Sequence, residues 1–232
     1  MDWPDLRNAR DLGGLPTADG ATRFGRVVRS DDLSRLTQAG RWAMFDHGIA
    51  TIVDLRAASE LRMSPPAFGD HPGYRHLSML EENPDRSSEE GRVGDSYVWL
   101  LDAMRARIGV ILGAIADAPP GGVLVHCFAG KDRTGIVSAL LLSVAGVGRD
   151  AIADDYALSR AGLVPMLEEW LAAEPDPKAR DYMRSRFECD PETMRAVLEH
   201  VDERHGSVAG YLANIGVDAA AQSRLRARLL AD

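Results

Sequence analysis

Val123-Leu124-Val125-His126-Cys127-Phe128-Ala129-Gly130-Lys131-Asp132-Arg133-Thr134-Gly135-Ile136-Val137-Ser138-Ala139-Leu140-Leu141-Leu142 joins two apolar runs through a polar turn. The first run predicts a buried strand ending at His126, the second a helix beginning at Thr134. The turn holds a cysteine, two glycines, a lysine and an arginine. Gly130 and Gly135 permit backbone conformations and close approaches that a Cβ blocks. A tight loop feeding a helix N-terminus offers backbone N–H groups and the positive end of the helix dipole, which suits a phosphate dianion.

The side chains extend that reading to chemistry. Arg133 follows Cys127 with five residues between, and its planar fork can hold two phosphate oxygens as charge develops. Cys127 attacks only as a thiolate, a form that a helix N-terminus beside cations favours. The expected product is a phosphocysteine intermediate that water later hydrolyses. Phe128, Ala129, Gly130, Lys131 and Thr134 are expected to line the substrate cradle, Lys131 as a second positive charge at the rim that meets a further anionic group. Thr134 is expected to donate its hydroxyl to the Cys127 sulfur. His126 is expected to hydrogen-bond loop backbone and, with Gly135, to shape the loop. A carboxylate beside bound phosphate is repelled by it, so Asp132 makes sense as an acid toward the leaving oxygen and then a base toward water. Asp54, at the end of another apolar run, is the alternative acid, with an ion pair to Arg56 or a loop-bracing hydrogen bond as its structural role; Arg56 is expected to guide substrate or to hold Glu60 in a salt bridge.

Working outward, Gly13-Gly14 and Asp19-Gly20 punctuate short apolar pieces in 8–30 and predict a hairpin or small strands. Thr37 to His47 reads as a helix stopped by Gly48, and Ile49 to Leu55 as a strand buried in a parallel sheet. Tyr74 to Met79 reads as a strand, Glu81 to Gly94 as an aperiodic acidic loop, and 93–116 as one helix, with Tyr97 on its apolar face. Past Gly148 the patterns are helical: one helix capped by Asp150, others over 163–173 and 181–187, one led by Asp190-Pro191, and a pair from Val208. Asp31 and Asp32 read as a helix cap and a surface charge. Strands alternating with helices, followed by helices alone, predict an α/β fold: a central mostly parallel sheet flanked by helices, with a helical elaboration after the loop. The whole chain, 1–232, is expected to form one domain, with 150–200 a lid-like elaboration or a permanently packed one.

Cys-x5-Arg followed by Thr-Gly resembles the signature loop of cysteine-dependent protein tyrosine phosphatases. The fuller His126-Cys127-x-x-Gly130-Lys131-Asp132-Arg133-Thr134-Gly135 resembles their atypical bacterial and fungal branch, in which dual-specificity and lipid phosphatase activities occur. Asn8-Ala9-Arg10-Asp11-Leu12-Gly13-Gly14-Leu15, the segment Arg26 to Ser34, Ile52-Val53-Asp54-Leu55-Arg56 with Glu60, and Asp155-Tyr156-Ala157-Leu158-Ser159 resemble other elements of that branch, in the same order. The resemblance implies a cysteine phosphatase-like fold and a protein tyrosine phosphatase, with a phosphoinositide phosphatase as the alternative and a phosphorylated protein or phosphoinositide as substrate. Many such enzymes carry their acid in a Trp-Pro-Asp loop before the cysteine. Here Trp3-Pro4-Asp5 stands at the start of the sequence and reads as coincidence; the absence of the tripeptide from 54–126 turns attention to Asp132, with Asp85 and Asp95 as lesser candidates. Two rivals remain open: a phosphate-binding module without turnover, against which the Cys127, Arg133 and Thr134 set speaks, and a rhodanese-type sulfur transferase, which the arginine and Thr-Gly ending disfavour.

Composition bounds the rest. Hydrophobic residues make up 45% and charged residues 27%, as in ordinary globular proteins. A net charge of −8 argues against nucleic acid and against tight docking on anionic membranes. The most apolar stretch, 135–147, is too short to span a bilayer, so no integral membrane association is expected. Two cysteines form no disulfide framework and point to a reducing compartment; with no signal peptide apparent, the expected location is cytoplasmic. Leaderless export stays open, because similar proteins of some pathogens act outside the cell. Cys189 reads as an ordinary packed or exposed thiol, with a protective disulfide to Cys127 as the alternative. The histidines show no metal-ligand spacing, and the implied mechanism needs no metal or other cofactor.

Overall fold

The computed structural model describes residue 3, residues 6–81 and residues 93–230. Short strands β1 (Arg10–Asp11), β2 (Pro16–Thr17) and β3 (Gly20–Ala21) precede β4 (Val27–Ser30). Helix α1 (Gln38–Asp46), β5 (Ile49–Asp54), α2 (Ala58–Met63) and β6 (Tyr74–His76) follow. Then come α3 (Val93–Ala103), α4 (Arg105–Ala116), β7 (Gly122–His126) and α5 (Asp132–Ala145). The remainder is helical: α6 (Arg149–Ala157), α7 (Ser159–Ala173), α8 (Pro177–Arg186), α9 (Pro191–His205), α10 (Val208–Asn214) and α11 (Ala219–Leu230).

The sheet runs β1-β4-β7-β5-β6, parallel except for β1, which is antiparallel to β4. β2 and β3 form a separate hairpin. β7 is central, and its five residues are all buried. Alternate strand residues enter opposite layers: Val27, Val53, Val123 and Val125 join the larger core under α3–α5 and α9–α11. Val28, Ile52 and Leu124 join a smaller one with Met44 and Phe68. Burial on both faces is why these strands read as unbroken apolar runs. Trp3 belongs to the smaller core, 5.6 Å edge-on from His47; Asp5 and Asp85 lie outside the described residues.

Several expected boundaries move. Helix α5 starts at Asp132, two residues early, with Gly135 N–H bonding back to Lys131. Strand β6 stops at His76, although the Leu77 and Met79 amides still bond Asp54 and Leu55. The expected helix 93–116 is two, because Met104 leaves helical dihedrals (φ −101°, ψ 16°). Gly148, in extended conformation, occupies the cap of α6, and Asp150 lies in its first turn, 2.8 Å from Arg195. α7 begins at Ser159, and α8 begins at Pro177 behind a capping Asp176, the same Asp-Pro signal that starts α9. Most of the acidic loop expected over 81–94 lies outside the described residues. Among the described residues no helix is long and apolar enough to cross a membrane.

Candidate active site

Parallel pairing brings the carboxyl ends of three strands level. Ser30 of β4 and Asp54 of β5 both lie opposite His126 of β7. The segments that leave them therefore share one edge of the sheet, where open α/β folds bind ligands. Residues 127–131 loop over this edge into α5, and Cys127 lies at the base, 1% exposed.

The loop's conformation follows from where its carbonyls go. Phe128 C=O accepts from Asp32 N–H (2.9 Å), Ala129 C=O from Asn8 Nδ2 (2.9 Å) and Gly130 C=O from Arg29 Nη2 (2.9 Å). In a trans peptide the N–H points opposite to the preceding C=O. Tying three successive carbonyls outward thus turns the N–H groups of residues 129–131 toward the loop's interior. Among the described residues, no hydrogen bond is donated by the amides of residues 128–130. Gly130 holds φ +66°, and a Cβ there would lie 2.6 Å from Ser30 backbone. These converging, unsatisfied donors at a helix N-terminus make an anion nest.

The anchors are themselves held. Asp31 and Asp32, expected as a helix cap and a surface charge, are both buried: Asp31 accepts the Arg7 and Asn8 amides, and Asp32 caps the turn Leu33–Arg35. Arg10 and Arg29 stand directly opposite each other on β1 and β4, a repulsive pairing reconciled by Asp155 between them (2.7 Å to each). Burial and Arg29 pull Arg10 down to about 10 against the pull of Asp155. The segments flanking the sequence motif thus serve as its frame.

Arg133 forms a bidentate pair with Glu60 (2.5 and 2.7 Å). Burial opposes its charge, but Cys127 and Glu60 raise it above the ordinary arginine value. Glu60 is the residue the sequence reading placed with Arg56. Arg56 instead pairs with Asp54 (2.7 Å) and Asp32 (2.9 Å), and is 1% exposed. Lys131, expected at the rim, is 2% exposed; its Nζ donates to Arg186 C=O and lies 3.4 Å from Asp132 Oδ1. Asp132 is 36% exposed and accepts from Tyr97 Oη at 2.6 Å. Desolvation pushes this carboxyl up, but Lys131 and the Tyr97 hydrogen bond pull it below its ordinary value. Thr134 is fully buried and its hydroxyl has no partner among the described residues, so the expected bond to the Cys127 sulfur is not formed.

A cleft of about 180 Å³ opens above, lined by Glu60, Phe128, Ala129, Lys131, Asp132 and Arg133 from the sheet edge and by Leu163, Trp170, Arg186 and Phe187 from α7, α8 and beyond. Trp170 bridges Phe128 (6.0 Å) and Phe187 (5.3 Å). Asp54 does not line it. It is fully buried, accepting from Arg56 and from Tyr74 Oη (2.8 Å); burial pushes it up, but His126 and Arg56 bring it down to about 2. His126 is buried, which lowers its pKa, with Nδ1 3.3 Å from Cys127 O and Nε2 3.6 Å from Asp54. Gly135 lets α5 approach the Tyr156 ring, which a Cβ would meet at 3.3 Å. Asp95 lies in the first turn of α3, outside this cleft. Sequence reasoning missed Tyr97, Glu60 and Asn8 as site residues. Among the described residues, no group of His, Cys, Asp and Glu side chains suits a metal ion.

Comparison with known proteins gives the family of the chain. A model of the tyrosine phosphatase family matches residues 1–231. The triple specificity protein phosphatase PtpB of Mycobacterium tuberculosis is 30% identical, with 99% of this chain and 98% of that protein covered. A tyrosine-protein phosphatase of Nostoc commune is 35% identical over 87% of this chain and 73% of its own length. This chain, with a cysteine at the floor of an anion nest and an arginine at its edge, belongs to the tyrosine phosphatase family.

Proposed function

We propose that the chain hydrolyses phosphomonoesters with Cys127 as nucleophile, Arg133 as the clamp on the transferring phosphoryl group, and Asp132 as acid and then base. The Cys127 thiolate attacks phosphorus and the ester P–O bond breaks. The leaving oxygen takes a proton from Asp132 and departs as the alcohol. Asp132, now a carboxylate, takes a proton from water as its oxygen attacks phosphorus. The S–P bond then breaks, releasing inorganic phosphate and restoring the thiolate. The observation that carries this reading is the set of three outward-tied carbonyls above Cys127, which leaves amide donors for the equatorial oxygens.

Asp132 is held ionised without substrate, so it must gain its proton with the phosphate. An arriving dianion offsets Lys131 and Arg133 and favours the neutral carboxyl. Exposure to the cleft supports Asp132 over Asp54, which is sealed behind Arg56 and Tyr74. The substrate reading is a phosphorylated protein, including phosphotyrosine, with breadth toward other phosphoesters. The triple specificity named for the Mycobacterium tuberculosis relative, and the cations Lys131 and Arg186 beside an aromatic wall, support a phosphoinositide as the second reading. We further assign α7 and α8 as a cover over the cleft, the whole chain as one catalytic domain, and the cytoplasm as its location. Two free, buried cysteines support the last of these.

The wild type is expected to turn over p-nitrophenyl phosphate, and Cys127→Ser to abolish turnover. Asp132→Asn should lose about a hundred-fold on phenyl phosphate but much less on p-nitrophenyl phosphate, whose leaving group needs no proton. Undiminished hydrolysis by Cys127→Ser would refute the covalent assignment. Phosphopeptides and phosphoinositides at matched concentration then rank the two substrate readings.

A further inference from the structure

Tyr97 occupies the apolar face of α3 and is fully buried. Burial of a phenol without a partner is costly, and its hydroxyl has two: Asp132 Oδ1 at 2.6 Å and Tyr156 Oη at 2.8 Å. The two rings meet edge to face, 5.9 Å apart. Tyr156, on α6, is 1% exposed. Burial and the neighbouring carboxylate push both phenols above their ordinary values, so both keep their protons. With a carboxylate at one end, two hydroxyl hydrogens can satisfy this chain in one order: Tyr156 donates to Tyr97, and Tyr97 donates to Asp132.

The groups that face Asp132 are Lys131 and Arg133 from its own segment, Tyr97 with Tyr156 behind it, Arg186 from α8, and the buried Cys189 thiol. Lys131 approaches the same oxygen as Tyr97, Oδ1. We propose that Tyr97, backed by Tyr156, is the positioning residue for the acid: it fixes Oδ1 so that the exchangeable proton resides on Oδ2 and is presented to the leaving oxygen. The Tyr97 hydrogen bond has the same direction whether Asp132 is charged or neutral, because Oδ1 remains an acceptor in both states. The carboxyl therefore cycles between acid and base without reorienting, which is what efficient proton transfer requires. Of the contacts to this carboxyl, the Tyr97 bond at 2.6 Å is the short, directional one; Lys131 stands farther from the same oxygen, at 3.4 Å.

This inference rests on the assignment of Asp132 as the acid, and the experiment separates the two. kcat and kcat/KM are measured against pH for phenyl phosphate and p-nitrophenyl phosphate with Asp132→Asn, Tyr97→Phe, Tyr156→Phe and the Tyr97→Phe/Asp132→Asn double variant, and the limb is read from kcat, which reports the substrate-bound enzyme. Asp132→Asn is expected to remove one limb of the profile. In Tyr97→Phe that same limb should move up by about one pH unit, because the carboxylate has lost a donor. Its loss on phenyl phosphate should exceed its loss on p-nitrophenyl phosphate by about ten-fold. Tyr156→Phe should act in the same direction with a smaller shift, and it decides the matter if Tyr97→Phe does not fold. In the Asp132→Asn background, Tyr97→Phe should change neither the profile nor the substrate ratio. Equal losses on both substrates, or a loss that persists in that background, would mark Tyr97 as merely structural and overturn the proposal. An Asp132→Asn enzyme with unchanged limb and leaving-group dependence would remove the acid assignment itself; a normal Asp132→Asn result with a silent Tyr97→Phe would remove only the tyrosine's role.

Discussion

At the scale of single residues, the site is decided by pairs that pre-set geometry before substrate arrives. Glu60 holds both terminal nitrogens of Arg133, while its Oε2 also accepts the Ala57 amide at the start of α2. The guanidinium is thus oriented by an anchored carboxylate, whose own pKa, pushed up by burial, is brought down by Arg133. Glu60 also competes with phosphate for the arginine's charge. The Glu60→Gln variant should separate these two effects. Losing the second acceptor oxygen loosens the fork, so kcat should drop about ten-fold. Losing the negative charge strengthens the hold on anions, so inorganic phosphate should inhibit at lower concentration. Steady-state kinetics with phosphate as inhibitor reads both, and an unaltered kcat would show that Arg133 needs no such guide. The pairing was not legible in the sequence because Glu60 and Arg133 are 73 positions apart. Arg56, much nearer to Glu60, was the obvious partner by spacing, but a buried strand end drew it to Asp54 and Asp32. Cys127, Arg133 and the glycines were legible because a local turn between two apolar runs dictates them.

At the scale of elements, the loop is tied to the helices that wall the cleft as firmly as to the sheet. Lys131 donates to Arg186 C=O in the last turn of α8, where helices leave carbonyls unsatisfied and favour a cation. Trp170 of α7 packs on Phe128, and Glu169 beside it pairs with Arg7. α8 buries none of its own residues, so such tethers hold it more than a core does. Lys131→Met keeps the aliphatic stem and removes the donor. Amide exchange over α8 and the end of α7 should then accelerate about ten-fold, as expected for the loss of one charged hydrogen bond, while α5 and β7 keep their protection. Hydrogen–deuterium exchange by mass spectrometry measures this. Uniform acceleration across the chain would show a global loss of stability instead of a released tether. The existence of these helices was readable from their periodicity and Asp-Pro starts. Their attachment was not, because it runs through a lysine whose local context reads as phosphate binding.

Across the whole molecule, an acidic chain of net charge −8 keeps its arginines at the sheet edge in ion pairs: Arg10 and Arg29 on Asp155, Arg56 on Asp54 and Asp32, Arg133 on Glu60. The parallel sheet was legible because both faces of β5 and β7 are apolar. Of the ion-pair frame only Asp54 with Arg56, two residues apart, was legible; the other members lie on separate strands and helices that only the fold brings together. This frame gives stability a definite pH dependence. Asp54, Asp155, Glu60 and Asp132 all have lowered values in the folded state, so the stability they contribute is present above their unfolded values and is lost as pH falls through the folded ones. Asp31, raised by burial, acts in the opposite direction. Comparing wild type with Asp54→Asn cancels the groups that are not coupled to Asp54. With Asp54 at about 2, its ionisation contributes about 2 kcal/mol at neutral pH. Asp54→Asn also leaves the Arg56 charge buried with only Asp32, so the variant should be about 3 kcal/mol less stable at pH 7. The gap should close as pH falls from about 4 to about 2, where the wild-type carboxyl becomes neutral like the amide. Urea unfolding at each pH measures it, and a gap that stays constant through that window would mean Asp54 stabilises the sheet edge by shape and hydrogen bonding, not by charge.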